Sequence, residues 1–428
     1  MRILHLTPGT GTFHCGSCLR DNALIKALRV RGHDAIMVPL YLPLVTDREA
    51  ASPGLDIQVG GISLYLQEKM PWFYRMPRFV HRWINSPERL RKASAGIGMT
   101  SPTELGKLTL GSLVGEEGRQ WGEWPKLINW IKTQPNPDVI SLSNSLLTGL
   151  AKSIETEIGV PVVCSLQGED SFIETLPDPY REQSWEAIRK NAAHIRRFIA
   201  PSRFYAGVMA SHLQIPVDDI VVVRNGLDFS SFPHSRPDPN WPVIGYLARM
   251  IHGKGLTTFV DAYIDLVQRK TVPRLKLRIG GAKTRADEKY IQELKDKLVA
   301  AGCDKHVEFL PNLSFEDKTK FFRDLAVFSV PATYGEAFGL YALESMASGV
   351  PVVQPRHGAF PEMIEATGGG LLCEPNDPKS LADGFEELLL DGARRDQFAN
   401  AGRTSVRNEF TPLKMAEAFD EMLASVVG

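Results

Sequence analysis

PATYGEAFGLYALESMASGVPVV, residues 331–353, is the most informative stretch of the chain. It reads as the end of a buried strand, a glycine loop, a helix over about 338–347 that Gly349 closes, and the start of another strand. The first backbone N–H groups of such a helix have no partner inside the helix, so they attract an anion. Gly339 lies there and lets a ligand approach the backbone. The stretch therefore predicts an anion site between a strand and a helix.

Two glutamates flank this helix start. Glu336 precedes the helix and Glu344 lies about two turns into it, roughly 12 Å farther along the axis if the rise per residue were uniform. That span suits a ligand with a sugar at one end, a ribose at the other and a diphosphate between them, because a carboxylate can accept hydrogen bonds from a hydroxyl pair. Taken alone, the spacing favours a capping glutamate and a surface glutamate on an ordinary helix.

A basic glycine loop in the same half of the chain changes that balance. Arg249 and Lys254 lie in GYLARMIHGKG (245–255), directly after a predicted strand. Two cations and three glycines at the carboxyl end of a strand form a suitable cradle for a diphosphate. A solvated basic loop is a common alternative for one such loop, but it is a weaker explanation beside the two glutamates.

The rest of the chain repeats the strand–helix rhythm. Apolar runs predict strands at 3–6, 35–41, 138–143, 160–166, 196–202 and 219–225, and then at 243–249, 275–281, 306–310, 326–331, 349–355 and 369–375. Because these runs are continuous rather than alternating, they indicate parallel strands that are covered on both faces. FPHSRPDPNWP (232–242) is polar and rich in proline, which is typical of an interdomain linker.

These observations predict an α/β fold with two Rossmann-like, doubly wound domains that face each other across a cleft. The first domain is expected at 1–235, completed by a C-terminal helix at 412–428, and the second at 236–411. Residues 43–137 depart from the rhythm, hold five of the seven tryptophans and are interpreted as a helical, aromatic insertion in the first domain.

Composition bounds the class of protein. The 428 residues carry a formal net charge of −1, so no global field favours nucleic acid. The start of the chain does not resemble a signal peptide, no run of about 20 apolar residues occurs, and five scattered cysteines favour reduced thiols. We therefore expect a cytoplasmic protein. Within the insertion, segment 69–92 has seven Lys/Arg and one acidic residue, which adds the hypothesis of contact with the inner face of a membrane.

Several further motifs carry a resemblance to a known family. They are PSRF (201–204), NGLD (225–228), MASGVPVV (346–353) and GAFPE (358–362), beside the glutamate pair and the basic loop. With them, the chain resembles glycosyltransferase family 4, whose members are retaining enzymes of the GT-B fold that use nucleotide sugars. The resemblance covers residues 1–40 and 138–410 and implies transfer of a hexose from a UDP- or GDP-sugar to a hydroxyl acceptor, without a bound metal or other cofactor.

The resemblance also implies roles for individual residues. Arg249 and Lys254 would neutralise the diphosphate, Glu344 would hold the ribose hydroxyls, and Glu336 would hold the transferred sugar. Charge grows on the nucleoside diphosphate as the glycosidic bond breaks, so preorganised cations and helix-end dipoles suit that transition state. The catalytic set is then Arg249, Lys254 and Glu336, and the wider donor-binding set adds Gly16, Asn225, Ala337, Phe338, Gly339, Leu340 and Glu344.

The acceptor side departs from the family pattern. Where many members have a histidine after the strand at 160–166, this chain has Gln167, which can bind a sugar hydroxyl but cannot carry a proton. The candidate acceptor or sugar contacts are Gln167, Glu169, Asp170, Arg20 and Asn22. The acceptor itself is left open as a carbohydrate, a small molecule or a lipid-linked molecule.

TFHCGSCLRDN (12–22) supports a rival hypothesis. Cys15 and Cys18 form a C-x-x-C at a helix start, as in a thiol–disulfide protein or half of a metal site. No second C-x-x-C exists in the sequence, and Gly16 has the spacing from His33 expected for a glycine loop, so the loop interpretation is favoured. A non-catalytic protein that binds nucleotide sugars is the third hypothesis.

Overall fold

The computed structural model describes residues 1–9, 16–42, 102–115, 124–232 and 242–427, together with a few positions between 51 and 90. The chain divides into two compact units, Met1–Leu227 with Pro412–Gly428, and Asp228–Thr411. The division falls about eight residues before the predicted boundary at 235, because Phe232 already packs on Phe322 of the second unit, with 6.3 Å between ring centroids. Residues 233–241 of the predicted linker lie outside the described residues.

The first unit is built on a sheet of six parallel strands in the order β2-β1-β3-β4-β5-β6. The strands are β1 (Arg2–Thr7), β2 (Asp34–Pro39), β3 (Val139–Leu142), β4 (Val162–Ser165), β5 (Arg197–Ala200) and β6 (Ile220–Val222). Every strand predicted in this half is present and parallel, although most are shorter than the apolar run. The runs include the first residues of the loops, which are buried at the carboxyl edge of the sheet.

Helices cover this sheet. They are α1 (Gly16–Val30), α2 (Pro102–Leu113), α3 (Trp124–Thr133), α4 (Ala151–Glu157), α5 (Glu169–Ile173), α6 (Tyr180–Ala192), α7 (Arg203–Leu213) and α15 (Pro412–Val427). The last of these packs on α1, where Phe419 and Leu423 share a buried core with Leu24 and Leu28. The C-terminal residues therefore belong to the first unit.

The second unit repeats the architecture with the order β12-β11-β10-β7-β8-β9, again all parallel. Its strands are β7 (Val243–Leu247), β8 (Lys276–Gly281), β9 (Val307–Pro311), β10 (Val327–Phe328), β11 (Val352–Pro355) and β12 (Gly370–Cys373). Its helices are α8 (Leu256–Arg269), α9 (Glu288–Ala300), α10 (Phe315–Arg323), α11 (Leu340–Ala347), α12 (Phe360–Thr367), α13 (Pro378–Leu390) and α14 (Gly392–Glu409). In both sheets a middle strand marks a reversal of strand order, which is the feature that places ligand sites at the carboxyl edge.

Parts of the predicted insertion at 43–137 are helical, namely α2 and α3, and Trp124 is buried at the start of α3. In the basic aromatic segment, Trp83 is 62% exposed and the Arg89 guanidinium lies 3.4 Å from the centroid of its ring. Most of segment 69–92 lies outside the described residues, so its amphipathic pattern and its membrane contact stay predictions. Within the described part of the chain, no helix is both long and apolar enough to cross a bilayer.

Candidate functional site

The loop that follows β7 is fixed by a glycine and presents a lysine. Gly255 has φ 71°, and a Cβ at this position would lie 1.7 Å from the carbonyl oxygen of Pro331. Only glycine allows this approach, which brings the β7 loop against the loop after β10. As a result, Lys254 Nζ lies 2.5 Å from Glu336 Oε2, although the two residues are far apart in sequence. The sequence predicted both side chains as ligands of the same donor, and the structure brings them together.

This ion pair is mostly shielded from water. The side chains of Lys254 and Glu336 are 18% and 14% exposed. Burial lowers the pKa of Lys254, but the Glu336 carboxylate outweighs it, with a smaller contribution from Tyr334, so the pKa lies above its ordinary value. Lys254 therefore remains a cation at neutral pH. The Tyr334 ring lies 4.9 Å from the ammonium and adds a cation–π contact.

Glu336 is held from two further sides. Tyr341 donates its hydroxyl to Glu336 Oε2 at 2.8 Å, and the backbone N–H of Ala359 donates to the Glu336 carbonyl at 2.9 Å. Gly358, with φ 63°, permits this backbone approach, because a Cβ there would lie 2.6 Å from the Glu336 nitrogen. Burial, followed by the Glu336 carboxylate, holds the pKa of Tyr341 well above its ordinary value, so Tyr341 stays protonated and continues to donate.

The helix between the two glutamates begins later than predicted. α11 starts at Leu340, with Gly339 as its N-cap at φ 89°, and Gly349 follows its end at φ 75°. The first amides of such a helix can bind an anion, as the sequence indicated, although that of Ala342 donates to the Gly339 carbonyl at 2.9 Å. Because Glu336 lies in the loop four residues before the helix, the uniform helical rise assumed for its separation from Glu344 does not apply. The side chains of Ala337 and Phe338 are buried, so these two residues can reach a donor only through their backbone.

The second glutamate of the pair also has a lysine partner. Glu344, on α11, is buried, and its Oε1 lies 2.5 Å from Nζ of Lys318 on α10. A Lys–Glu pair therefore lies at each end of the segment 336–344. Sequence reasoning did not identify Lys318.

Arg249 differs from both lysines. Its side chain is exposed and makes no hydrogen bond or ion pair with the described residues. Its carbonyl oxygen accepts a hydrogen bond from the Tyr246 hydroxyl at 3.0 Å, which fixes the backbone at the carboxyl end of β7. A fixed backbone with an unoccupied guanidinium is well suited to bind a phosphate.

The first unit contains a separate, buried polar cluster at the carboxyl ends of β1, β3 and β4. Asp21 is its centre: Oδ1 accepts from Arg20 at 3.0 Å, and Oδ2 accepts from Ser143 at 2.5 Å and lies 3.3 Å from His5 Nε2. Burial raises the pKa of Asp21, but His5 and Arg20 outweigh it, so the pKa lies below its ordinary value. Asp21 is thus a buried carboxylate that contacts Arg20, Ser143 and His5, and its bond to Arg20 fixes the orientation of that guanidinium.

Two of the predicted acceptor contacts join this cluster. Arg20 also donates from Nε to Asn225 Oδ1 at 3.2 Å, so Asn225, predicted as a donor ligand, lies beside it in the first unit. Gln167 donates from Nε2 to the Ser143 carbonyl at 2.6 Å and to Asp21 at 3.3 Å. The amide of Gln167 is therefore oriented with its nitrogen toward the cluster.

Two other predicted acceptor contacts have structural partners. Glu169 is buried; its Oε1 and Oε2 accept the backbone N–H groups of Ser145 and Gln167 at 2.7 and 2.6 Å. Burial raises the pKa of Glu169 in spite of these donors. The Asn22 amide oxygen accepts from the backbone N–H of Ala51 at 2.6 Å. These contacts favour a role in positioning loops over the acceptor contact that the sequence suggested.

The remaining predicted positions are accessible in different ways. Asp170 accepts from the Tyr205 hydroxyl at 2.8 Å and is only partly buried. Gly16 is exposed at the first position of α1, whereas residues 10–15, including Cys15, lie outside the described residues. Cys18 is buried beside the Thr7 hydroxyl.

Three cysteines outside the C-x-x-C lack the features of reactive thiols, whereas the C-x-x-C hypothesis stays a prediction because Cys15 lies outside the described residues. Cys164, Cys303 and Cys373 are buried, and burial raises the pKa of each thiol, to about 12 for Cys373. Reactive thiols instead have lowered pKa values. No group of three or more metal-ligating side chains occurs in the part of the chain that the structure describes.

Comparison with known proteins assigns the chain to a family. Residues 230–405 match the family model of glycosyl transferases group 1, and residues 104–231 match that of glycosyltransferase family 4. Together the two matches span residues 104–405, more than half of the chain, and the chain belongs to the glycosyltransferases. The first match contains both Lys–Glu pairs and Arg249, and the second contains Gln167.

Relatives of this glycosyltransferase agree with that assignment. D-inositol 3-phosphate glycosyltransferase of Corynebacterium jeikeium is 32% identical over 149 residues, which are 35% of this chain and 35% of that protein. The lipopolysaccharide core biosynthesis mannosyltransferase LpsB of Rhizobium meliloti is 28% identical over 237 residues, which are 52% of this chain and 64% of that protein. The chain thus spans less than two thirds of the length of these two curated relatives.

A solved structure supports the fold. Anabaena Alr3699/HepE, crystallised with UDP and glucose, aligns over 99% of both chains with a TM-score of 0.70 at 16% identity. The two-domain α/β GT-B fold predicted from the sequence is therefore confirmed, and the cleft between the halves stays a prediction.

Proposed function

We propose that this glycosyltransferase is a retaining hexosyltransferase that moves a hexose from a UDP- or GDP-sugar to a hydroxyl group of an acceptor. The observation that carries the proposal is the constellation in the second unit: the Lys254–Glu336 pair lies at the start of α11, and Arg249 is exposed nearby in the same basic loop. The relatives named as an inositol phosphate glycosyltransferase and a mannosyltransferase support a sugar transfer.

Each part of the donor finds a suitable group in this constellation. As the bond between the sugar and the diphosphate breaks, negative charge grows on the leaving diphosphate. Arg249 and Lys254 stabilise that charge, and the amides at the start of α11 add to it. Glu336 accepts hydrogen bonds from hydroxyls of the transferred sugar, and Glu344 accepts them from the ribose. The acceptor hydroxyl forms the new glycosidic bond as the bond to the diphosphate breaks, and its proton passes to the leaving diphosphate.

We propose that these cations do the work that a metal ion does in other transferases, so that the enzyme needs no metal and no other cofactor. Two cations at the donor phosphates provide charge neutralisation at the place where charge develops. The test is activity after exhaustive treatment with EDTA: retained activity supports the proposal, and loss that Mg²⁺ or Mn²⁺ restores refutes it.

For the acceptor, we propose the polar cluster around Asp21, with Arg20, Gln167 and Asp170 as contacts. The acceptor is a carbohydrate, a small molecule or a lipid-linked molecule. A cytoplasmic protein whose segment 69–92 touches the inner membrane face would meet the lipid-linked form. Co-sedimentation with anionic vesicles at low salt tests the membrane contact, and the absence of binding would refute it.

The donor assignment is tested by calorimetry with UDP-, GDP- and ADP-sugars. Lys254→Ala and Glu344→Ala should each weaken binding of the preferred donor by at least about 10-fold, because each removes a charge-assisted contact. Lys320→Ala is the matched control, since Lys320 forms an exposed ion pair with Glu316 in the same unit. If both site variants bind the donor like the wild type, the assignment is wrong. Hydrolysis or transfer of the donor sugar would exclude a non-catalytic binding protein.

A further inference from the structure

Lys318 stands out among the lysines of the second unit, because it lies on the packed face of its helix. It precedes Phe321 and Phe322 by three and four residues, which places it on the same side of α10 as these two buried rings. Its side chain is 23% exposed, whereas that of Lys320, two residues later, is 62% exposed. A lysine on an inward face usually has a specific partner, since desolvating an unpaired ammonium is costly.

The partner of Lys318 is one oxygen of the carboxylate proposed to bind the ribose. Nζ lies 2.5 Å from Glu344 Oε1. A carboxylate has about four lone-pair sites on two oxygens, so a single carboxylate can accept from a lysine and from ligand hydroxyls at the same time. The ammonium fixes the orientation of the Glu344 side chain.

Lys318 and Glu344 meet because their helices, α10 and α11, both begin at the carboxyl edge of the sheet. The first helix follows β9 and the second follows β10. Ser314 caps α10 by accepting from the Asp317 N–H at 3.1 Å, which fixes where its first turn lies. Lys318, in that turn, therefore points to Glu344 from a rigid support at the edge where ligands bind in such sheets.

We propose that Lys318 is a positioning residue for the nucleoside end of the donor: by holding Glu344 Oε1 it sets the geometry in which Glu344 recognises the ribose diol. The inference rests on the proposed function, because it assumes that Glu344 meets a ribose. Lys318 acts through Glu344 and thereby determines how strongly the enzyme prefers a ribonucleotide to its 2′-deoxy analogue.

The test compares the dissociation constants of UDP and 2′-deoxy-UDP, or of the GDP pair if the wild type prefers guanine. Wild type should prefer the ribonucleotide by about 10-fold or more, as expected for a hydrogen bond to a charged group. Lys318→Met should reduce this ratio to about 2-fold or less, while Lys318→Arg should retain most of it because the guanidinium can still hold the carboxylate. Lys320→Met is the control and should keep the wild-type ratio.

The ratio separates positioning from damage to the fold, because general destabilisation weakens both nucleotides equally. A melting curve for each variant confirms that it is folded. If Lys318→Met keeps the wild-type ratio, the inference is overturned and the proposed function stands. If the wild type binds no nucleoside diphosphate at all, the proposed function fails and the inference fails with it.

Discussion

The Tyr341 hydroxyl offers a sharp test of how Glu336 is positioned. Tyr341→Phe removes one buried oxygen and keeps the ring, so packing against Phe328 and Phe360, at 6.3 Å between centroids in both cases, should persist. The deleted hydroxyl donates to Glu336 Oε2 at 2.8 Å. A hydrogen bond to a charged group contributes about 1.5–3 kcal/mol, and Lys254 continues to hold the same oxygen, so a loss near the lower end, about 1–2 kcal/mol, is expected.

That energy corresponds to a decrease of about 5–30-fold in kcat/KM for sugar transfer. Binding of the nucleoside diphosphate without its sugar should change by less than about 2-fold, because Glu336 is assigned to the sugar. Steady-state kinetics with the preferred donor and calorimetry with the free diphosphate measure the two quantities. The specific expectation is that kcat/KM falls while binding of the free diphosphate stays nearly unchanged, since a disordered site would weaken both transfer and binding.

Tyr290→Phe provides the matched control. Tyr290 also lies in the second unit, is buried, and shares a hydrogen bond of 2.9 Å with the Thr257 hydroxyl. Removing its hydroxyl should lower the melting temperature about as much as Tyr341→Phe does and leave kcat/KM unchanged. The reasoning is refuted if Tyr341→Phe retains wild-type kcat/KM, or if Tyr290→Phe loses as much activity as Tyr341→Phe.

Two further predictions concern stability. Gly255→Ala should lower the free energy of unfolding by about 1–2 kcal/mol for a left-handed backbone, and further because the new Cβ clashes with Pro331. Gly302→Ala, at φ 68° with open space around it, should lose only the backbone contribution. Equal losses by chemical denaturation would contradict the clash. Asp21→Asn should cost about 3–5 kcal/mol at neutral pH by leaving buried His5 and Arg20 without their carboxylate. Because the folded pKa of Asp21 lies below its ordinary 3.8, this stabilisation is present above that value and is lost as the pH falls through the folded pKa. Urea titrations from about pH 3 to pH 7 should therefore show the difference from wild type shrinking in acid, and a constant difference would refute the assignment.

Much of the fold could be predicted because parallel strands leave a strong local signal. Each strand of both sheets coincides with a continuous apolar run, and glycines mark the ends of helices such as α11. The limits were less accurate: the run at 326–331 yields a strand of only two residues, Val327–Phe328. An apolar run records burial, and the residues after Phe328 are buried in the loop at the carboxyl edge without pairing to a neighbouring strand. Residues 43–137 gave no periodicity that could predict α2 or α3 in detail.

The sequence predicted the charged residues of the donor site but not the residues that hold them in place. Lys254 and Glu336 lie in recognisable loops, so the sequence could place them near one ligand. Tyr341 and Lys318 touch the glutamates through tertiary contacts that no local pattern encodes. For Lys318 one signal was available, since a lysine four residues before a buried phenylalanine on an amphipathic helix lies on the inward face.

On the acceptor side the sequence predicted a ligand contact where the structure has a structural residue, because a charged residue after a strand was interpreted as available to a ligand. In LQGED, Glu169 follows the carboxyl end of β4 and could have met a ligand, yet both of its oxygens accept backbone N–H groups. One of these belongs to Gln167, so Glu169 fixes the backbone from which the Gln167 amide reaches Asp21. A carboxylate beside a ligand residue can thus serve the site without touching the ligand. The same relation holds in the second unit, where Tyr341 on α11 and Lys318 on α10 each hold the carboxylate of a glutamate.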